Sequence, residues 1–168
     1  QKYILDAIAR LPAEIDGRRL RLLLLGDGPL GDALRAQAQA LGIDDRVLWC
    51  GWQQDPAPWF HLADAVIFPS SDRETFGNVI VEAWAFGKPL VVTAFRGARE
   101  IARHGEDSYV VPCDDGEALA RGVAELLSDA VMRSGFVAAG RRRLEQEFSE
   151  AVIIDRYREL YAQAVDWA

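Results

Sequence analysis

The sequence has few cysteines, one methionine and no long apolar run. Its two cysteines, Cys50 and Cys113, each end an apolar segment and lie outside any Cys-x-x-Cys pattern. This placement favours two buried free thiols in a reducing compartment. No apolar stretch approaches the roughly 20 residues that a membrane-spanning helix needs, and no signal peptide is recognised.

An excess of positive charge is also lacking. The 168 residues carry a formal net charge of -7, which argues against nucleic acid or an anionic membrane as the main partner. A local positive site for a phosphate remains compatible with this charge. Half of the residues are apolar and 27% are charged, a composition typical of one soluble globular domain with its own core.

Five short apolar runs predict buried strands. Each run is nearly continuous rather than alternating, as expected for parallel strands that are covered on both faces. Segments with helical spacing separate the runs. This alternation predicts an α/β fold with a Rossmann-like, doubly wound parallel sheet. The predicted strands are Leu20–Leu25, Val47–Cys50, Ala65–Phe68, Leu90–Val92 and Tyr109–Val111.

The helical spacing continues beyond the last strand into a helix that is apolar on two sides. Such a helix is expected to need a second surface to cover it. The chain also opens at Gln1 inside a helical pattern, and its only methionine is Met132. We therefore expect residues 1–168 to be one domain of a longer protein. The predicted helices are Tyr3–Leu11, Leu30–Leu41, Pro58–Ala63, Val79–Phe86, Ala98–Arg103, Glu117–Ser128, Val131–Phe148 and Ala151–Val165.

A glycine-rich loop follows the first predicted strand. Its sequence, Gly26-Asp27-Gly28-Pro29-Leu30-Gly31, matches the G-x-G-x-x-G pattern of dinucleotide sites. The next strand ends in Trp49-Cys50-Gly51-Trp52, without the acidic residue that such a site uses to hold a ribose. Two interpretations remain: a tight turn into a helix, or a loop that borders a ligand at the carboxyl end of the sheet.

Two glutamates, Glu74 and Glu82, flank a Gly77-Asn78 turn with seven residues between them. Asn78 is expected to cap a helix that begins at Val79. The free N–H groups and the dipole of such a helix favour a phosphate. A carboxylate near a phosphate suits the hydroxyl groups of an attached sugar, because an ionised carboxylate accepts hydrogen bonds and donates none.

The spacing of the two glutamates fits opposite ends of one ligand. Positions eight apart on one helix lie about 12 Å apart along its axis, roughly the span of a nucleoside diphosphate-sugar. If Glu74 lies in the loop before the helix, its side chain can reach over the helix start. The alternative is that Glu82 pairs locally and that Glu74 is solvated beside Arg73.

The segment around these glutamates resembles a known family. It is similar to the carboxyl-terminal domain of retaining glycosyltransferases of the GT-B fold, the glycosyltransferase group 1 family (family 4-like). The likeness extends through Gly26–Pro29, Val47–Gly51 and Gly105–Leu119, and so covers essentially the whole chain. The most specific matches are Pro69-Ser70-Ser71, Glu74–Gly77, Glu82-Ala83, Gly87–Val92, Gly97 and Glu100-Ile101.

The resemblance implies roles for individual residues. The catalytic pair would be Glu82, which would bind the ribose hydroxyls of the nucleotide, and Glu74, which would contact the transferred sugar. The nucleobase would lie near the Gly51-Trp52 turn. Lys2 falls where the family places a phosphate-binding lysine. The implied residues that bind the sugar donor are Lys2, Gly28, Gly51, Trp52, Phe76, Gly77, Asn78 and Val79, the last four through backbone N–H groups.

The resemblance also implies an activity. A sugar would pass from a nucleoside diphosphate-sugar, such as a UDP-sugar, to an acceptor glycan, lipid or polysaccharide precursor, with retention of configuration. No metal and no other cofactor is expected. The protein would be cytoplasmic, or peripheral at the inner membrane face through an amino-terminal domain outside these residues. That domain would bind the acceptor and would pack on a terminal helix, residues 149–168. Residues 1–168 alone would be inactive.

The sequence departs from the family pattern near its second half. Only Gly97 stands where the family often has two glycines, and Arg96 is either a substrate contact or a surface cation. Thr75 replaces a common glycine. His61 and His104 stand alone, without metal-ligand spacing, and are expected to be structural or surface residues.

Three other functions are compatible with parts of the pattern. One is a non-catalytic nucleotide-sugar binding module. Another is an NAD-dependent oxidoreductase that uses the glycine-rich loop. The third is a glycoside hydrolase, which needs two carboxyl groups about 5–10 Å apart and gives no reason for a phosphate-binding helix start between them.

Overall fold

A computed structural model of the protein describes residues 1–165. Within these described residues, seven strands and eight α-helices follow one another, with a short 3-10 helix at Asp44–Arg46. The strands are β1 (Glu14–Ile15), β2 (Arg18–Arg19), β3 (Leu22–Leu25), β4 (Val47–Gly51), β5 (Val66–Phe68), β6 (Leu90–Thr93) and β7 (Tyr109–Val111). The helices are α1 (Lys2–Arg10), α2 (Gly31–Ala40), α3 (Ala57–Leu62), α4 (Asn78–Ala85), α5 (Arg96–Ile101), α6 (Gly116–Ser128), α7 (Ala130–Glu147) and α8 (Glu150–Val165).

The five central strands pair in parallel with their neighbours, and the predicted α/β class is confirmed. Their hydrogen bonds form two ladders, β3–β4 and β5–β6–β7, where the sequence predicted one sheet. A common apolar core joins the ladders: Leu22 and Val47 of the first lie in one buried cluster with Val91 and Val111 of the second. The apolar runs predicted β5, β6 and β7 because helices α4 and α6 pack against that ladder. The β3–β4 ladder is less covered, since Leu48 is 45% exposed and Leu25 is 40% exposed.

A small antiparallel hairpin, β1–β2, was not predicted. Glu14 pairs with Arg19 and Ile15 with Arg18, around a turn formed by Asp16 and Gly17. Both turn residues have positive φ, at 51° and 73°. An Asp-Gly pair is the typical signal for such a two-residue turn, but two-residue strands are too short to show alternating polarity.

Two clusters of buried side chains fix the helices. In the first cluster, Leu5 and Ile8 of α1 pack with Leu119 and Leu126 of α6. The second cluster surrounds Trp84 of α4, which is 1% exposed. The helix α7 crosses α4 so closely that a Cβ atom on Gly140 would lie 2.3 Å from Cδ1 of Trp84.

A buried ion pair links α7 to the segment between α5 and β7. Nη1 of Arg143 donates to Oδ2 of Asp107 at 2.7 Å, and the Asp107 side chain is fully buried. Arg143 also donates two hydrogen bonds to Glu147, at 3.0 Å and 2.9 Å. The hydrogen bonds from Arg143 hold the pKa of Glu147 below its ordinary value of 4.5, and nearby Arg103 acts in the same direction.

Four large apolar side chains of α8 remain exposed: Ile154, Tyr157, Leu160 and Tyr161. The rings of Tyr157 and Tyr161 stack with centroids 6.3 Å apart. The predicted terminal helix, residues 149–168, is thus present from Glu150 to Val165, and residues 166–168 lie outside the described range. Within the described residues, no helix has both the length and the apolar character that crossing a membrane requires.

Candidate functional site

The candidate site lies at the carboxyl edge of the parallel strands. The glycine-rich loop follows β3, the Gly51-Trp52 turn follows β4, and the loop with Glu74 follows β5. The carboxyl ends of parallel strands face the same edge, where open α/β sheets bind their ligands. We call residues 70–77, between β5 and α4, the Glu74 loop.

The helix α4 starts on a glycine in a left-handed conformation. Gly77 is the N-cap, with φ at 86° and ψ at 62°, and Asn78 is already the first helical residue. The prediction that Asn78 caps this helix is therefore wrong, since no side chain forms a cap hydrogen bond here. Glycine is required at position 77 for two reasons. The positive φ is unfavourable for other residues, and a Cβ atom at this position would lie 2.6 Å from Cζ of Phe95.

Consecutive backbone amides remain open at this helix start. Within residues 1–165, the N–H groups of Phe76, Gly77, Asn78 and Val79 donate to no protein acceptor, and the first bond is from Ile80 N to Gly77 O at 2.9 Å. The absence of a side-chain cap leaves these donors for a ligand. Together with the helix dipole they favour a negatively charged group.

The two glutamates lie on different elements, as expected if Glu74 is in the loop before the helix that carries Glu82. Glu74 is half-buried in the Glu74 loop, and its Oε1 accepts a hydrogen bond from Thr75 N at 3.0 Å. Glu82 is exposed on α4. Among the ion pairs of residues 1–165, none includes either carboxylate. The local pairing considered for Glu82 is thus not formed.

The glycine-rich loop and the next turn are hydrogen-bonded to each other. Gly26 N donates to Gly51 O at 2.7 Å, and both glycines have positive φ. Gly28 is exposed, but its N–H is already used by Oδ1 of Asp27 at 2.8 Å. Trp52 is 71% exposed, so its ring is open to a ligand or to a covering surface.

Lys2 is brought to the same edge by helix packing. It is the first residue of α1 and is exposed, with Nζ 4.7 Å from the centroid of the Tyr3 ring. The start of α1 lies against the start of α6, because a Cβ atom on Gly116 would be 3.6 Å from Tyr3 O. Since α6 follows the carboxyl end of β7, Lys2 lies on the side of the sheet that carries the open amides.

The end of β6 and the segment after it support the Glu74 loop, a contact that the sequence did not predict. The buried hydroxyl of Thr93 accepts from Ser70 N at 2.8 Å and donates to Ser70 O at 2.7 Å. A Cβ atom on Gly97 would lie 2.4 Å from Thr75 O and 2.5 Å from Phe76 O. Contacts between segments so distant in sequence leave no local signal, although the single Gly97 of the family pattern marks this position.

Other reactive side chains have no evident place in the site. Within residues 1–165, no group of three or more His, Cys, Asp and Glu side chains could hold a metal ion. Burial raises the pKa of the thiols of Cys50 and Cys113, which are free and half-buried rather than fully buried as predicted. The exposed His104 accepts a hydrogen bond from Val110 N at 3.1 Å, a structural role.

Comparison with known proteins gives the family. The profile described as "Glycosyl transferases group 1" matches residues 1–129. This chain belongs to the group 1 glycosyltransferase family. The match contains the glycine-rich loop, both glutamates and the five parallel strands. The predicted relationship is therefore confirmed, and the fold is that of the Rossmann-like carboxyl-terminal half of a GT-B glycosyltransferase.

Curated relatives and solved structures agree with this assignment. The chain is 36% identical over 159 residues to the lipopolysaccharide core biosynthesis glycosyltransferase LpsE of Rhizobium meliloti, covering 95% of this chain and 45% of that protein. It is 30% identical over 158 residues to N-acetyl-alpha-D-glucosaminyl L-malate synthase of Bacillus anthracis, covering 94% and 40%. The chain thus spans about half the length, or less, of the curated relatives it matches.

Solved structures are similar to this chain over the same extent as the curated relatives. The crystal structure of HepE from Anabaena in complex with UDP superposes with a TM-score of 0.89 and 26% identity, covering 97% of this chain and 45% of that one. The structure of the same Anabaena protein with UDP-glucose superposes with a TM-score of 0.87, again at 26% identity, and covers the same shares of both chains. UDP and UDP-glucose are therefore ligands of a structural relative with this fold.

Proposed function

We propose that this chain binds the nucleoside diphosphate-sugar of a glycosyltransferase, with UDP as the nucleotide. The observation that carries the proposal is the row of open amides from Phe76 to Val79, flanked by Glu74 and Glu82. A diphosphate at these amides would place one attached sugar toward each carboxylate. The structural relative crystallised once with UDP and once with UDP-glucose supports this choice of ligand.

The proposed chemistry is transfer of the sugar with retention of its configuration. When the bond between sugar and phosphate breaks, negative charge develops on the departing diphosphate. The amides at the start of α4 and the ammonium group of Lys2 would stabilise that charge, each well-placed donor contributing about 3 kcal/mol. Glu74 would orient the sugar and Glu82 the ribose. This scheme uses no metal and no other cofactor.

The acceptor and the acceptor-binding domain belong to the proposal as well. One relative is named for lipopolysaccharide core biosynthesis and another is named as an exopolysaccharide phosphotransferase, and these names suggest a glycan or lipid-linked acceptor in cell-envelope polysaccharide synthesis. We propose that an amino-terminal domain supplies the acceptor site and covers the exposed apolar residues of α8, among them Tyr157 and Leu160. Contact with a membrane would then occur through that domain, at the cytoplasmic face.

Calorimetric titration with UDP, GDP, ADP and NAD tests this function. We expect UDP to bind most tightly, because a structural relative of this chain was crystallised with that nucleotide. Binding of NAD in preference to every nucleoside diphosphate would instead identify a dinucleotide enzyme that uses the glycine-rich loop. UDP binding without sugar transfer by the intact protein would identify a non-catalytic nucleotide-sugar module.

A further inference from the structure

The Glu74 loop has no regular structure of its own and is held by the last residue of β6 together with the segment that follows it. We call residues 93–99 the clamp segment. Two of its residues contact the loop at opposite ends: Thr93 at Ser70, where the loop begins, and Gly97 at Thr75 and Phe76, next to the open amides. The position of Glu74 between these points is therefore set by the clamp segment.

Thr93 forms the more specific of the two contacts. Its side chain is 3% exposed, and its hydroxyl both accepts from and donates to the backbone of Ser70. A buried hydroxyl with both functions satisfied fixes the distance and the direction of its partner. A valine has nearly the same shape but would leave the Ser70 N–H without its acceptor.

Gly97 allows the close approach of the loop because it has no side chain. The Cβ atom of any other residue would lie within 2.5 Å of two carbonyl oxygens, Thr75 O and Phe76 O. Those oxygens belong to the loop backbone, so a larger residue moves the loop rather than a flexible side chain. Phe95 fills the space beneath Gly77 in the same way, since a Cβ atom there would lie 2.6 Å from its ring.

A third contact between the clamp segment and the Glu74 loop contributes less to holding the loop in place. Arg99 donates to Ala94 O at 2.6 Å and to Oδ1 of Asp72 at 3.0 Å. Both side chains of this ion pair are more than half exposed, at 54% and 66%. Exposed pairs of this kind contribute little, so the buried hydroxyl and the glycine are the stronger determinants.

We propose that Thr93 and Gly97 are positioning residues for the sugar half of the bound nucleotide-sugar. They fix Glu74 and the adjoining amides without contacting the ligand, whereas Glu82 sits on the regular helix α4, outside the clamped loop. Loss of the Thr93 contact, which lies at Ser70 and away from the open amides, is therefore expected to reduce the additional affinity gained from the sugar more than the affinity for the nucleotide. This inference rests on the proposed function, because it assigns the sugar to Glu74.

The test compares three variants with UDP and with UDP-glucose as probes. Thr93→Val removes the hydroxyl, Thr93→Ser retains it, and Gly97→Ala displaces the loop. We expect Thr93→Val to weaken UDP-glucose binding about tenfold, the scale of a lost hydrogen bond to a charged group, with UDP binding changed less than about threefold. Gly97→Ala crowds the backbone of Thr75 and Phe76 beside the open amides and should weaken the binding of both probes. Thr93→Ser should restore the wild-type ratio of the two affinities. Gly135→Ala, at a helical glycine with no atom within 4 Å of the added methyl group, is the matched control.

Amide hydrogen exchange at Glu74, whose N–H donates to Ser71 O at 2.9 Å within the loop, gives a readout that does not depend on the ligand. Thr93→Val should accelerate exchange there relative to Thr93→Ser, with exchange in α6 unchanged. Equal exchange in the two Thr93 variants, or equal weakening of UDP and UDP-glucose binding by Thr93→Val, would overturn the positioning role. If the wild-type protein binds neither probe, the proposed function itself fails, and the assignment of the sugar to Glu74 fails with it.

Discussion

At the scale of single residues, the candidate site depends on the absence of a side-chain cap at the start of α4. Most helix starts use a polar side chain to satisfy the first amides. Here Gly77 takes the cap position with φ at 86°, and the amides that follow it stay open. The glycine thus has two effects: it turns the chain into α4, and it leaves room for a ligand where a side chain would otherwise bind.

Glu82 is the residue whose contribution is easiest to isolate. It is exposed on α4, so its replacement should not affect folding. We expect Glu82→Ala to weaken UDP binding by at least about 1 kcal/mol, the scale of a hydrogen bond that involves a charged group. Calorimetry measures the change, and Glu159→Ala on the exposed part of α8 is the control. Equal affinity in both variants would remove Glu82 from the ribose site.

At the scale of elements, the strands were more predictable than the contacts between them. Nearly continuous apolar runs predicted all five parallel strands to within two residues, and helical spacing predicted the eight helices similarly. Family resemblance, not periodicity, gave the roles of the glutamates. The Asn78 cap was mispredicted because composition cannot distinguish the last loop residue from the first helical one. The clamp by Thr93 and the pair Arg143–Asp107 join distant residues and carry no local signal.

The packing of α7 on α4 gives a sharp prediction about two glycines of one helix. A methyl group on Gly140 would overlap the buried ring of Trp84, with 2.3 Å to Cδ1, whereas one on Gly135 would meet nothing within 4 Å. Gly140→Ala should lower the free energy of unfolding by about 1–3 kcal/mol. Gly135→Ala should raise it by up to about 1 kcal/mol, through better helix propensity. Urea denaturation of both variants measures these changes, and similar effects of the two would disprove the close contact.

At the scale of the whole molecule, stability is expected to depend on pH through Glu147. Arg143 lowers the pKa of Glu147 in the folded protein, so folding is favoured when this carboxyl is ionised. That contribution is present above pH 4.5, the ordinary value, and is lost as the pH falls through the lowered pKa. In Glu147→Gln, the free energy of unfolding should therefore fall less steeply on acidification below that pH.

Denaturation at a series of pH values measures this slope. The matched control is Glu145→Gln on the same helix, because Glu145 forms an exposed pair with Arg141 at 3.2 Å and exposed pairs contribute little. The control should keep the wild-type pH dependence. An identical slope in wild type and Glu147→Gln would show that the Arg143 contacts do not favour the ionised carboxyl.

The fold of the whole molecule also determines where the parts of the candidate site lie. Loops after successive parallel strands converge on one edge, and the packing of α1 against α6 brings Lys2 to that edge. Each part of the site thus comes from a different place in the sequence, and the sheet unites them. The exposed apolar residues of α8, Ile154 to Tyr161, are the surface that the proposed amino-terminal domain would cover.

The most direct test of the central claim is an NMR titration of the isotopically labelled protein with UDP, followed at the backbone amides. The account predicts that the signals of Phe76, Gly77, Asn78 and Val79 shift most, together with those of the Gly51-Trp52 turn. Shifts confined to the glycine-rich loop at Gly26–Gly28, or no shifts at saturating UDP, would contradict a diphosphate site at the start of α4.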